Sequence, residues 1–252
     1  MSEVEQSLEQ AAQLLCSARR VVVFTGAGMS AESGIPTFRD PGGLWEQFRP
    51  EELATPEAFE RNPDRVWAWY WQRRTVMAAA EPNAGHRALA QMEPLFEEFT
   101  IVTQNIDRLH QRAGSRRVLE LHGTIFEQHC HRCGRLYDGE ELPADRAPIC
   151  PVCGGRVRPS VVWFGELLPT SVFQAAQSAA ERCHVLLSIG TSGEVYPAAG
   201  IVWQAKLHGA AVVEINPRWT ELSGLADVRI AAPAAQVLPE LLERVRRCRQ
   251  QQ

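Results

Sequence analysis

The sequence predicts an α/β fold, a doubly wound parallel sheet interrupted by one small insert, and three observations lead there. Short β-branched apolar runs recur along the 252 residues, helix-like segments separate most of them, and one cysteine-rich stretch fits neither pattern. Strands that alternate with helices call for right-handed crossovers, which cover both faces of a parallel sheet.

Leu8, Ala11, Ala12, Leu15 and Cys16 recur at helical spacing and predict an amphipathic first helix. The run "RVVVFTGAG" follows, apolar and ending in glycines, as a buried parallel strand entering a turn should be. Later runs repeat it: "EFTIVTQNID", "RRVLELHG", "PSVVWFGE", "CHVLLSIGTS", "AAVVEINP" and, more weakly, "ADVRIAAP". Between them "VWAWYWQRR", "PNAGHRALAQMEPLF" and "SVFQAAQSAAERC" read as helices, and "ERVRRCRQQQ" as a helix end with a frayed tail. Ligands of doubly wound sheets bind beyond the carboxyl ends of the strands, so "TGAG", "TQNID", "LHG", "WFGE", "IGTS" and "EIN" are the places to search.

Composition narrows the function. A hydrophobic content of 45% supports a substantial core, and a net charge of −4 gives no basic footprint for nucleic acid or an anionic membrane. The acidic N-terminus lacks a secretory pattern, and no apolar run approaches the roughly 20 residues of a membrane span. A cytoplasmic, monomeric protein is expected. Lys206 is the only lysine, which is read as composition bias without functional meaning.

Cys130, Cys133, Cys150 and Cys153 form two CxxC pairs at zinc spacing, and four thiolates make a closed tetrahedral site with a structural role. His129 and His131 flank the set and are expected to face solvent. Five arginines balance five acidic residues from Glu127 to Ser160, which argues against phosphate binding by this insert. For the four CxxC cysteines, metal rather than disulfides is expected; Cys16, Cys183 and Cys248 stand alone, the first two read as small apolar residues and the last with no evident role.

Gly26, Gly28 and Ala31 match the relaxed dinucleotide pattern GxGxx(G/A) after a strand, where backbone N–H groups can approach a pyrophosphate; a plain tight turn is the alternative. The usual acidic second-strand end is missing, and a long Gly- and Pro-containing loop stands in its place as a candidate lid. Gln104, Asn105 and Asp107 offer an amide and carboxylate cluster for a carboxamide such as nicotinamide. Gly190, Thr191 and Ser192 suit phosphate or ribose, and Asn216 suits hydroxyls. His122, directly after the strand "VLEL", is a candidate base titrating near neutrality. Tyr70 and Arg73, three residues apart on one helical face, either pack as a cation on aromatic rings or line an anion pocket.

These pieces in this order resemble the sirtuins, NAD-dependent protein deacylases: "GAGMSAESGIPTFRDPGGLW", "TQNIDRLH", "LHG", the two CxxC pairs, "VWFGE", "GTS" and "EIN", from about Val21 to Leu242. The resemblance implies a single catalytic domain over 1–252. Its Rossmann-like part would cover about 1–126 and 161–252, its zinc module about 127–160, and the 36–80 lid and helical region would join the small lobe. It implies NAD as co-substrate, one structural zinc, and acylated-lysine proteins or peptides as partners.

Carried over, Gly26, Ala27, Gly28, Ser30, Ala31, Thr37, Phe38, Arg39 and Trp45 would embrace NAD from the first loop. Gln104, Asn105, Ile106 and Asp107 would form the nicotinamide pocket, and Gly190, Thr191, Ser192, Asn216 and Ala234 would hold the phosphate and adenosine side. His122 would be the general base. In the family's mechanism the acyl oxygen attacks C1′ of the nicotinamide ribose, and His122 activates a ribose hydroxyl, giving nicotinamide, O-acyl-ADP-ribose and free lysine. Val162, Trp163, Phe164, Gly165 and Glu166 would take the substrate backbone by strand addition.

Two positions depart from the commonest forms, Glu194 and Arg218, both expected near the adenosine side. "WYWQRR" resembles the Tyr-x-x-Arg signature of the desuccinylase and demalonylase branch, so Tyr70 and Arg73 would bind the distal carboxylate of a succinyl or malonyl group. Thr124 and Ile125 are expected near the acyl tunnel. A mono-ADP-ribosyltransferase on the same scaffold and a noncatalytic NAD-sensing module are the alternatives to deacylation.

Overall fold

The structure, a computed structural model, describes residues 2–38, 43–44, 49–139 and 142–250. The expected cofactor contacts Arg39 and Trp45 lie outside the described residues. Helix α1 (Glu3–Ser17), closed by a reciprocal cap between Ser2 and Glu5, leads into strand β1 (Arg20–Thr25). Helices α2 (Pro50–Leu53), α3 (Pro56–Arg61) and α4 (Pro63–Ala79) follow, then α5 (Ala84–Met92), β2 (Glu98–Thr103), the single turn α6 (Leu109–Arg112) and β3 (Val118–Glu120). Strands β4 (Gly123–Cys130) and β5 (Val157–Val161) bracket the cysteine-rich stretch. The chain closes with α7 (Thr170–Arg182), β6 (Val185–Ile189), α8 (Gly200–Leu207), β7 (Ala211–Ile215), β8 (Val228–Ile230) and α9 (Ala234–Gln250).

Six strands form one parallel sheet in the order β3-β2-β1-β6-β7-β8. Both faces are buried, which explains why β1 reads as an unbroken apolar run. Val21 and Val23 pack under α1, α5 and α9 with Leu8, Leu89 and Leu238. Val22 and Phe24 point to the other face, onto Ala176 of α7 and Ile201 of α8. The order reverses between β1 and β6, and that switch point opens the crevice.

"PSVVWFGE" departs from the expected pattern, because β5 belongs to no parallel sheet. It pairs antiparallel with β4, whose sequence "GTIFEQHC" was not among the expected strands. Gly123 makes the change of sheet possible: its φ is +70°, and a Cβ there would lie 2.1 Å from the carbonyl oxygen of Ser160. A second core forms around this hairpin, with Phe59, Trp67 and Trp69 packed beside Trp163, Val157 and Cys130. Helix α4 starts on an Asn62 side-chain cap with proline at its first position, and Trp67 ties it to the insert through a 2.7 Å bond to the carbonyl of Pro143.

The expectation that Cys16 and Cys248 stand alone is also corrected. Helices α1 and α9 lie side by side, which brings Cys16 and Cys248 to a Cα separation of 6.0 Å across 232 residues and joins them. His129 and His131 are half-buried rather than turned to solvent: His129 Nδ1 meets the Ser160 hydroxyl at 3.0 Å, and His131 packs edge-on against Phe59. No described helix is long and apolar enough to cross a membrane.

The sulfurs of Cys130, Cys133, Cys150 and Cys153 all lie within 4.8 Å of one another, with Cys130 to Cys153 at 3.4 Å and Cys133 to Cys150 at 3.9 Å. A tetrahedral zinc with Zn–S bonds of about 2.3 Å separates its sulfurs by about 3.8 Å, so the set fits one structural zinc. Because such a metal is part of the folding free energy of its module, a strong chelator should remove one zinc per chain and abolish the near-UV dichroism of the tryptophan cluster. Far-UV dichroism from the parallel sheet and its helices should largely persist; a tryptophan signal unchanged after complete zinc removal would refute the structural role.

Candidate active site

At the switch point the loops after β1 and β6 cross at contact distance. The N–H of Gly26 donates to Ile189 at 3.1 Å and that of Gly28 to Gly190 at 2.8 Å. A Cβ on Gly28 would stand 2.8 Å from the Gly190 Cα, and one on Gly190, whose φ is +60°, would stand 2.4 Å from the Met29 nitrogen. Of the two readings of these glycines, the tight turn is the one this geometry fits. They let two protein backbones cross, and the N–H groups of Gly26 and Gly28 are occupied by protein carbonyls rather than offered to a pyrophosphate.

The end of β2 adds a polar wall. Asn105 donates through Nδ2 to the Gly26 carbonyl at 3.0 Å and to the Ser30 hydroxyl at 3.2 Å. The Ser30 hydroxyl in turn donates to Asp107 Oδ2 at 2.7 Å, while Asp107 Oδ1 accepts from the N–H of Leu109 at 2.9 Å. Burial raises the Asp107 pKa, partly offset by those two donors. Gln104 reaches across the crevice, giving its amide to the Thr191 hydroxyl at 2.9 Å, and Asn216 gives its own to the Thr191 carbonyl at 3.2 Å.

His122 stands where β3 ends and the chain turns into β4. Its Nδ1 lies 3.0 Å from the carbonyl oxygen of Gln104, which can only accept, so Nδ1 carries the hydrogen and Nε2 keeps a lone pair in the neutral ring. Burial lowers the His122 pKa below its ordinary 6.5, with the Gln104 bond a smaller opposing effect. A neutral imidazole with a free Nε2 is a base ready to take a proton.

A cavity of about 920 Å³ runs along this crevice. Among the described candidates it is lined by Gly26, Ala27, Gly28, Ser30 and Ala31 of the first loop with Thr37 and Phe38, residues 104–107, His122, residues 162–166, residues 190–192, Asn216 and Ala234. Glu194 and Arg218 also line it. Thr124 and Ile125 do not, because both are buried behind Ile106, whose carbonyl accepts from the N–H of Ile125 at 3.1 Å.

Tyr70 and Arg73 enter the same cavity from α4. The Arg73 guanidinium lies 4.7 Å from the Trp69 ring centroid, 5.0 Å from that of Phe38 and 5.6 Å from that of Tyr70. The cation therefore rests on aromatic faces, the first alternative from the sequence, and it also lines the cavity. Burial lowers its pKa, yet an arginine stays charged. The Tyr70 hydroxyl accepts from Trp163 Nε1 at 2.9 Å, and burial raises its pKa, keeping the phenol neutral.

Arg158 was missed in the sequence. It is 3% exposed, forks onto Glu166 at 2.5 and 2.9 Å, and places its guanidinium 3.2 Å from the centroid of the Trp163 ring. Glu166 also accepts from the Trp163 N–H at 2.7 Å. The only available signal was an arginine set among strand residues, which says nothing of its partner. His110 was missed as well; it is buried beneath the polar wall, 3.0 Å from the Thr25 hydroxyl.

Comparison with known proteins gives a concordant result. The signature described as the Sir2 family matches residues 26–197. The NAD-dependent protein deacylase 2 of Pyrobaculum aerophilum is 53% identical over 236 residues, which cover 94% of this chain and 95% of that protein. Among solved structures, a mutant Sir2 homologue in complex with ADP-ribose superimposes with a TM-score of 0.92 at 42% identity, covering 96% of this chain and 98% of that one. Sir2Af2 bound to a myristoylated histone peptide gives a TM-score of 0.81 at 37% identity, covering 98% and 100%. Likeness of this extent, in sequence and in fold from one end of the molecule to the other, settles kinship: the chain belongs to the Sir2 family.

Proposed function

We propose that this NAD-dependent protein deacylase removes succinyl and malonyl groups, as well as acetyl, from protein lysine side chains. One observation carries the finer part: a permanent cation, Arg73, and a neutral phenol, Tyr70, share a cavity with the base His122, and no carboxylate among the described residues is hydrogen-bonded to either. Guanidinium meets carboxylate in a bidentate fork, and a phenol adds one directed donor. Support for a peptide substrate comes from the related Sir2Af2, which holds an acylated histone peptide.

The crevice fits NAD by its position at the switch point and by its polar wall. Asn105 and Asp107 would hold the carboxamide end, the first loop and residues 190–192 the phosphates, and Asn216 and Ala234 the adenosine side. When bound, NAD supplies the acceptor for the acyl group, so the products are free lysine, nicotinamide and O-acyl-ADP-ribose. His122 takes a proton at Nε2 from a hydroxyl presented in the cavity, while Gln104 holds its ring in that tautomer. The N–H groups of Val162, Trp163 and Phe164 are bonded within the protein, so a peptide added along this segment would meet its carbonyl side. In this reading residues 127–160 with the 36–80 region form the small lobe, and the acylated side chain enters between it and the parallel sheet.

An NAD-dependent deacylation assay on one peptide backbone, carrying acetyl- or succinyl-lysine, tests the proposal. Breaking a desolvated charge pair of this kind costs about 2–5 kcal/mol, so Arg73→Met should lower kcat/KM on the succinyl peptide by about a hundredfold and on the acetyl peptide far less. Equal losses on both peptides would remove the carboxylate pocket.

The pH profile is a second test. Because the neutral form of His122 is the base and burial depresses its pKa, the base is available above that pKa and lost as pH falls through it. The acid limb of kcat/KM on the acetyl peptide should therefore have its midpoint below 6.5. A midpoint above 6.5, or a limb that survives His122→Ala, would contradict the assignment.

A further inference from the structure

The direction of one buried hydrogen bond decides what the acyl pocket can accept. Indole Nε1 is a donor only, so in the 2.9 Å contact between Trp163 and Tyr70 the phenol oxygen must accept. Its own proton is thereby turned away from Trp163, and no acceptor for it is found among the described residues. Tyr70 is 3% exposed and lines the cavity beside Arg73, which leaves the proton available to a group placed in that cavity.

Trp163 is held for this task from three sides. Its face lies on the Arg158 guanidinium at 3.2 Å, its backbone N–H is bonded to Glu166, and its ring packs at 5.3 Å from Phe59. Arg158 is anchored in turn by its fork onto Glu166 and by a 2.8 Å bond to the Val161 carbonyl. A ring clamped in this way cannot turn its N–H elsewhere without breaking the buried ion pair beneath it.

We propose that the Trp163 indole is a positioning residue for acyl selectivity: by occupying the acceptor site of Tyr70 it makes the phenol, like Arg73, a pure donor, matched to an acyl end that only accepts. A carboxylate is such an end. A terminal amide or hydroxyl gains less, because no acceptor is left for its proton. The inference rests on the acidic-acyl reading above and adds a cause for it: a side chain of the peptide-binding segment, rather than its backbone, sets the polarity of the acyl pocket.

The test is a double-mutant cycle with the selectivity ratio, kcat/KM for succinyl-lysine over that for acetyl-lysine, as readout. Trp163→Phe should lower this ratio by about fivefold, the size of one neutral hydrogen bond, mainly through the KM of the succinyl peptide. In a Tyr70→Phe background the same substitution should change the ratio no further, since its effect passes through the phenol. Zinc content and near-UV dichroism check folding. A benzothiophene analogue of tryptophan at position 163, which keeps ring size and lacks the N–H, should reproduce the loss. An unchanged ratio in the analogue protein, or the same fivefold fall with and without the Tyr70 hydroxyl, overturns the inference. If Arg73→Met fails to lower the ratio, the acidic-acyl reading falls first; if Arg73→Met lowers it and the analogue does not, only the role of Trp163 is lost.

Discussion

One hydrogen bond, from Nδ1 of His122 to the carbonyl of Gln104, is the constraint on which the catalytic reading depends. It joins the end of β2 to the turn where the chain leaves the parallel sheet, and it fixes which ring nitrogen is bare. Without it the imidazole could present either nitrogen, and burial alone would leave a neutral ring of undefined direction. The bond exists because β2 and β3 are adjacent parallel strands whose ends stop at the same level, with Thr103 paired to Glu120. The position of the imidazole is thus a consequence of sheet register.

The same junction supplies the second half of the cleft. Gly123 lets β4 fold back against β5 at a backbone distance no other residue allows, and the zinc-type cysteine set closes the far end of that hairpin. Helices α2 to α4 share one apolar core with the hairpin, where Phe59, Trp67 and Trp69 meet Val157 and Trp163. A structural zinc at the cysteine set would thus support, at a distance, the core that carries Tyr70 and Trp163. Two polar features share the cleft: a donor-rich end around Arg73, and an amide and carboxylate end around Asn105 and Asp107.

Much of this was legible in the sequence, for reasons that differ from element to element. The parallel strands declared themselves because both faces are buried, so β1, β2, β6 and β7 are nearly unbroken apolar runs. The cysteine spacing carried its geometry outright. "PSVVWFGE" misled because an apolar run shows burial and not the sheet that buries it; the deciding residue, Gly123, lies far away in the chain. The glycines of the first loop were found by their pattern, but a motif shows that a Cβ is forbidden without showing what it would strike. Cys16 and Cys248 were unpaired on paper because helix packing between the chain ends leaves no local signal. Tyr70 and Arg73 stood out by spacing, while the Trp163 bond that orients the phenol depends on a contact across 93 residues.

The tautomer of His122 can be observed directly. A two-dimensional ¹⁵N–¹H correlation of the histidine side chains, assigned by comparison with His122→Ala, should show at pH 7 a neutral ring with its hydrogen on Nδ1 and an unprotonated Nε2. A ring protonated at Nε2, whether as the other neutral tautomer or as an imidazolium, would contradict a base held ready by the Gln104 carbonyl.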